Sequence, residues 1–352
     1  MNLDFKTLVI LIPGFPESEE DSTCLPIQQL FVLSLKKLYP GLNITIFSFQ
    51  YPYHTKKYEW FGIPVIPFSG KNKGGLLRWL LRKKIYTELL KLHQANAISG
   101  ILSFWCTECA LVGNKFAGRQ GIRHICWIRG QDARKGNRYV KKINPQPADL
   151  AVLSDFLQEE FEKNYSIRPA HVIPPGIDIK KYALNKLPRD LDILAAGSLI
   201  SLKQYSLFPE IIFELKKNIP SIKAMLCGKG PEQKNLELKI KKFGLEKNIV
   251  LTGELPYPDI LRLMQQSRLF LHPSSYEGFS GVCLEALHAG AHVISFCKAM
   301  NHEIEHWHIV ESKEKMIHKA LEILQNTGTK FTSVTPYTAE DSAIKMMQLF
   351  TR

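Results

Sequence analysis

Short, continuous apolar runs alternate with longer helical patterns along nearly the whole 352-residue chain. A strand that is apolar at every position is buried on both faces, so helices must cover both sides of a parallel sheet built from right-handed βαβ units. In the first half the runs are Leu8–Ile12, Ile44–Phe49, Pro64–Phe68, Gly100–Trp105, His124–Ile128, Leu150–Ser154 and His171–Ile173. Helical patterns between them include Pro26–Leu38, Leu76–His93 and Asp155–Tyr165. The second half repeats the scheme, with strands at Asp192–Ala196, Ile222–Cys227, Ile249–Thr252, Leu269–His272 and His292–Phe296 and helices near 206–218, 231–243, 257–267 and 281–289.

The stretch from Pro174-Pro175-Gly176-Ile177-Asp178 to Pro188 is rich in Pro, Lys and Asn and marks a boundary. It predicts one α/β domain over 1–185 and a second over 186–335, with a terminal helix within 336–352 folding back on the first. No apolar run approaches the roughly 20 residues needed to span a bilayer. Leu8–Ile12 is too short for a signal-peptide core, and Pro13-Gly14 and the acidic residues 17–21 follow it, so a cytoplasmic location is expected. Seven scattered cysteines with one lone C-x-x-C, Cys106 to Cys109, read as buried reduced thiols.

The net charge of +13 is uneven: residues 71–92 hold seven basic and one acidic residue, and 112–147 hold nine and one. Such stretches suit phosphate-bearing partners. Gly75-Leu-Leu-Arg78-Trp79-Leu-Leu-Arg82-Lys83-Lys84-Ile-Tyr86 is amphipathic and basic. It fits either an ordinary helix with a solvated basic face or a contact with an anionic membrane or lipid-linked phosphate. No helix-turn-helix, zinc-finger or RNP-like motif accompanies the charge, so no nucleic-acid partner is expected.

The most specific local signal is the segment 269–295, which contains Tyr276-Glu277-Gly278-Phe279-Ser280-Gly281-Val-Cys-Leu-Glu285-Ala. It reads as strand, tight loop, short helix, Gly290 as cap, then strand. Open α/β sheets bind ligands in the loop after a parallel strand, and the N–H groups at a helix start favour phosphate. Glu277 before the helix and Glu285 inside it suit sugar hydroxyls flanking a diphosphate better than bare phosphate.

This segment resembles the E-x7-E signature of retaining GT-B glycosyltransferases of family 4, the glycosyl transferases group 1 domain. Val172-Ile-Pro-Pro-Gly176-Ile-Asp178 is similar to that family's domain-crossing turn. Leu226-Cys-Gly228-Lys-Gly230-Pro231-Glu232 is similar to its G-x-G-P-E turn, and Ala151–Leu157, Leu251-Thr-Gly253 and Ile12-Pro13-Gly14 fall where its other motifs do. The resemblance implies two Rossmann-like, doubly wound parallel-sheet domains facing a cleft. It further implies metal-independent transfer of a sugar from a UDP-, GDP- or ADP-sugar donor to a glycan, lipid-linked or small-molecule hydroxyl. No permanently bound cofactor is expected. By the same resemblance Glu277 binds the donor sugar, Glu285 the ribose, and Lys203 neutralises the diphosphate, with Gly14, Gly278, Phe279 and Ser280 completing the cradle.

Three departures stand out. Ser198 follows Gly197 where the family often has arginine. Arg129-Gly130-Gln131-Asp132 stands in place of a His-Gly-x-Asp loop, which makes Arg129 and Asp132 candidate catalytic residues with an altered role. The segment 296–309 lacks the family's G-G-x-P-E loop. A sugar-nucleotide-binding protein with weak or lost catalysis therefore stays open beside the transferase, as does a sugar-nucleotide epimerase on the same architecture. His302-Glu303-Ile304-Glu305-His306 formally matches the zincin H-E-x-x-H, which needs a substantial helix and a third ligand. Its place in a short connection reads as a solvated loop. Gly228-Lys-Gly230-Pro-Glu-Gln233 is a partial dinucleotide pattern without its third glycine, and Asp190-Leu-Asp192 reads as a solvated strand edge.

Overall fold

A computed structural model describes residues 6–182 and 187–351. The chain forms two units, residues 1–176 with 339–352, and residues 177–338.

Unit 1 holds β1 (Thr7–Gly14), α1 (Pro26–Leu38), β2 (Asn43–Tyr51), β3 (Tyr58–Trp60), β4 (Ile63–Pro67), α2 (Gly75–Ala95), β5 (Gly100–Phe104), α3 (Glu108–Gln120), β6 (Arg123–Ile128), α4 (Arg138–Ile143), β7 (Leu150–Val152), α5 (Asp155–Tyr165) and β8 (His171–Val172). Its sheet runs β3-β4-β2-β1-β5-β6-β7-β8, parallel except for the β3–β4 hairpin. The five residues Leu8–Ile12 are wholly buried, as a central strand covered on both faces requires.

Unit 2 holds β9 (Leu191–Ala196), α6 (Phe208–Lys216), β10 (Ala224–Cys227), α7 (Gln233–Lys242), β11 (Ile249–Gly253), α8 (Tyr257–Gln266), β12 (Ser267–His272), α9 (Gly281–His288), β13 (His292–Ser295), β14 (Trp307–Ile309) and α10 (Lys313–Gln325). Its six strands are all parallel in the order β11-β10-β9-β12-β13-β14. Successive side chains of a strand point to opposite faces. Ile193 and Ala195 accordingly join the core under α6, α7 and α10, while Leu194 and Ala196 join the core under α8 and α9. Each large apolar side chain buried this way is worth about 1.5–3 kcal/mol.

Numbered within the unit, this order is the doubly wound 3-2-1-4-5-6, whose direction reverses between β9 and β12. Such a reversal opens a crevice at the carboxyl ends of the two strands, the usual ligand position of open α/β sheets.

The strands expected from the apolar runs are all present. The boundary expected at 185/186 falls instead between Gly176 and Ile177, because Tyr182 already belongs to the second unit. It packs on the α8–α9 core and its hydroxyl donates to the Glu285 carbonyl at 3.1 Å. The chain returns to unit 1 at Ala339 rather than 336. There α11 (Ala339–Gln348) lies along α1, with Lys37 2.9 Å from Glu340 and Ser342 donating to the Pro174 carbonyl at 2.7 Å. No helix among the described residues is long and apolar enough to cross a membrane.

Candidate active site

The crevice of unit 2 is bounded by the loop after β9 (residues 197–207) and the loop after β12 (273–280). They are fastened together at one atom: the Leu202 carbonyl accepts from the Ser275 N–H at 3.0 Å, the Ser275 hydroxyl at 3.1 Å and the Ser274 hydroxyl at 3.3 Å. That fastening sets Lys203, the next residue, beside Glu277. The Lys203 Nζ lies 2.5 Å from the carboxylate, both side chains are half-buried, and His272 Nε2 approaches the same carboxylate at 3.4 Å. Burial alone would raise the Glu277 carboxyl, but His272 and the Lys203 ammonium hold it down at about 2, so it is ionised throughout the physiological range. Burial lowers His272, keeping the ring neutral, and its Nδ1 has no partner.

Glycines make the neighbouring turns possible. After β9, Gly197 takes φ 152°, and after β10, Gly228 takes φ 142°. A Cβ on Gly228 would lie 2.0 Å from the Gly197 carbonyl oxygen, so the two turns touch backbone to backbone. Ser198 brings no cation to this edge. Lys229 on the adjoining turn is exposed and sits 3.6 Å from Glu254.

After the β12 loop, α9 begins at Ser280 with no side chain capping its first N–H groups, the arrangement that leaves helix-start donors for an anion. Phe279 is buried, its ring edge-on to Trp307 and Tyr337 at 5.8 Å, which anchors the loop and leaves only its backbone for a ligand. Eight residues beyond Glu277, one face of Glu285 is held by Tyr257, whose hydroxyl donates to Oε1 at 2.7 Å. Burial pushes the Glu285 carboxyl up to about 7, against the pull of Tyr257 and Lys181. Two carboxylates of one loop–helix segment thus have opposite character, one fixed as an anion and one poised near neutrality. Tyr257 and Tyr182 have no signature in the motif and only the topology brings them to it, whereas His272 and the serine pair lie in the same segment just before Glu277.

In unit 1, Gly14 ends β1 and Arg129 follows β6, so both lie at the carboxyl edge of that sheet. Asp132 points inward: its carboxylate accepts from the N–H groups of Cys106 (2.7 Å), Gly130 (2.9 Å) and Arg129 (3.0 Å). Burial raises its carboxyl despite these donors. With both oxygens committed to backbone, Asp132 holds the loop that presents Arg129. The Arg129 guanidinium stacks on Trp127 at 4.6 Å and Phe104 at 5.6 Å, and its Nη1 is buried without a hydrogen-bond partner.

The competing motifs resolve differently. Residues 302–306 form a turn, not a helix, with His306 at φ 61° stacked on His292 and His302 3.0 Å from the Tyr337 hydroxyl, so the two histidines of H-E-x-x-H face different neighbours. Among the described residues no cluster of three or more His, Cys, Asp or Glu could hold a metal ion. A cavity of about 770 Å³ runs along residues 298–309 by edge strand β14, and neither Lys203, Glu277 nor Glu285 lines it. Asp192, expected as a solvated edge, instead accepts from the Lys223 N–H at 2.9 Å and pairs with Arg268 at 3.3 Å.

The glycosyl transferases group 1 family profile matches residues 177–340. The sequence is 31% identical over 103 residues to the 2-deoxystreptamine N-acetyl-D-glucosaminyltransferase of Niallia circulans, covering 29% of this chain and 26% of that protein. It is 28% identical over 219 residues to the N-acetylgalactosamine-N,N'-diacetylbacillosaminyl-diphospho-undecaprenol 4-alpha-N-acetylgalactosaminyltransferase of Campylobacter jejuni, covering 60% and 57%. The matches therefore span 26% to 57% of these curated relatives. Among solved structures, the Anabaena protein HepE in complex with UDP-glucose superposes with TM-score 0.68 at 18% identity, over 98% of this chain and 95% of that one. The fold is GT-B, with two Rossmann-like units, and residues 177–340 are similar to the glycosyl transferases group 1 family.

Proposed function

We propose that this chain is a glycosyltransferase that moves a sugar from a UDP-, GDP- or ADP-sugar to an acceptor hydroxyl with retention of configuration. The observation that carries the reading is the Lys203–Glu277 pair, held at the β9–β12 reversal by the Leu202 carbonyl. Breaking a glycosyl–phosphate bond puts charge on the leaving diphosphate, and a fixed ammonium with helix-start N–H groups stabilises it as it forms. Lys203, the backbone of Gly278, Phe279 and Ser280 and the start of α9 fill that role without a metal. Glu277, always ionised, accepts hydrogen bonds from the donor-sugar hydroxyls. Glu285 accepts from the ribose hydroxyls.

The C1–O bond to the diphosphate breaks, the acceptor oxygen bonds to C1 on the same face, and its proton passes to the departing phosphate oxygen. In unit 1, Arg129 serves the acceptor side and Asp132 positions Arg129. The acceptor is a glycan or lipid-linked hydroxyl, the class named for the Campylobacter jejuni relative, and contact with the inner membrane face suits such a substrate.

A thermal-shift panel of UDP, GDP, ADP and their sugars tests the reading. Stabilisation by at least one set is expected; stabilisation by none would overturn it. Nucleotide binding with no turnover, unchanged in Glu277→Ala, would favour the binding-protein reading that Ser198 and Arg129 leave open.

Glu285 adds a pH signature. It is protonated below about 7, and protonation turns one of its acceptor oxygens into a donor, which weakens its hold on the two ribose hydroxyls. Nucleotide affinity should rise about tenfold from pH 6 to pH 8, following the ionised fraction. Glu285→Gln should bind weakly and show no such rise. Wild-type affinity that is flat across this range would contradict the ribose assignment.

A further inference from the structure

The first turns of α2 present an unusual surface. Leu76, Leu77, Trp79 and Leu80 are 70%, 54%, 44% and 47% exposed, and the whole helix buries only Ile85 and Leu89. At 100° per residue, Trp79, Lys83, Leu76, Leu80, Lys84 and Leu77 share one outward arc. The apolar side chains lead and the lysines follow on the same face.

Beside this arc a cavity of about 610 Å³ opens between α2 and α3, lined by Trp79, Arg82, Lys83, Tyr86, Lys115 and Arg119 among others, with no carboxylate in its wall. Lys83 Nζ stands 3.8 Å over the Trp79 ring, and Lys115 and Arg119 lie 5.8 Å and 5.7 Å from the Tyr86 ring. Among the described residues none of these four cations is in an ion pair. The nearby carboxylates are engaged elsewhere: Glu88 with Lys57 and Lys91, Glu108 with Gln50 and Arg78.

We infer that unit 1 docks on an anionic phospholipid surface, with Leu76, Leu77, Trp79 and Leu80 entering the interfacial layer and a lipid phosphate seated among Arg82, Lys83, Lys115 and Arg119. Leucines at the headgroup boundary bury apolar area, tryptophan favours that depth, and unpaired cations meet fixed negative charge. Charge complementarity selects this occupant. A nucleic acid supplies phosphates but nothing to cover three leucines.

The test is flotation of the full chain with phosphatidylcholine vesicles, with and without phosphatidylglycerol. Binding only to the anionic vesicles is expected. Leu76→Ser/Leu80→Ser and Lys83→Glu/Lys115→Glu should each weaken it about tenfold or more, with melting temperature unchanged. Equal binding to both vesicle types, no binding to either, or wild-type binding by both variants would overturn the inference. So would displacement by millimolar inorganic phosphate or by duplex RNA, which would assign the pocket to a soluble anion or a nucleic acid. Nucleotide thermal shifts of the same variants stay at wild-type values, which keeps failure here distinct from failure at the donor site.

Discussion

Lys203→Ala is expected to lower turnover about 10²–10³-fold, equivalent to about 3–4 kcal/mol of lost transition-state stabilisation. The ammonium that lies 2.5 Å from Glu277 is the side-chain cation fixed at the β9–β12 crevice, and Ser198 supplies none. Its loss has a second consequence, since Glu277 then keeps only His272 against burial and its carboxyl rises toward the ordinary range. Lys203→Arg restores charge but not the point geometry and should recover part of the rate. Because the two residues act as a pair, Lys203→Ala/Glu277→Ala should cost far less than the product of the single effects. Initial rates of nucleotide release are read for wild type, Lys203→Ala, Lys203→Arg, Glu277→Ala and the double variant. Turnover by Lys203→Ala within about twofold of wild type would remove Lys203 from the mechanism.

The second large effect is structural. Gly228→Ala places a Cβ 2.0 Å from the Gly197 carbonyl oxygen at φ 142°, a backbone-to-backbone collision that no rotamer relieves. A cost of about 3 kcal/mol or more follows, lowering the melting temperature by about 6–12 °C. Gly244→Ala is the contrast: φ is +60° with nothing within 4 Å of the added carbon, so only the left-handed strain of about 1–2 kcal/mol remains. Shifting the Gly197 turn also moves the loop that carries Lys203, so Gly228→Ala should lose nucleotide stabilisation and Gly244→Ala should keep it. Equal melting temperatures for the two variants would contradict the close-approach account.

The central strands were legible because each is a continuous apolar run with helical pattern on either side. What the sequence hid is at the edges and in helices weakened for packing reasons. β3 and β14 are three residues each; the first joins a hairpin and the second sits in a run of histidine and tryptophan, so neither shows a strand period. α3 carries Gly113 in its interior, a helix-weakening residue. A Cβ there would meet Ser103 Oγ at 2.7 Å and His124 Nε2 at 2.8 Å, so the glycine serves packing on the sheet.

At the site, Glu277 and Glu285 were readable because they share one loop–helix segment. Their different ionisation was not, since it depends on how deeply the fold buries Glu285 and on Lys203, brought beside Glu277 from 74 residues away. The inward turn of Asp132 was equally invisible: a loop motif names the residue, while three backbone N–H groups decide where its carboxylate points.

The decisive measurement is release of nucleoside diphosphate from UDP-, GDP- and ADP-sugars by the wild-type chain and by Glu277→Ala. Release from at least one donor, largely abolished in Glu277→Ala while nucleotide binding persists, is the expected result. Failure to bind or cleave any of the donors would contradict it.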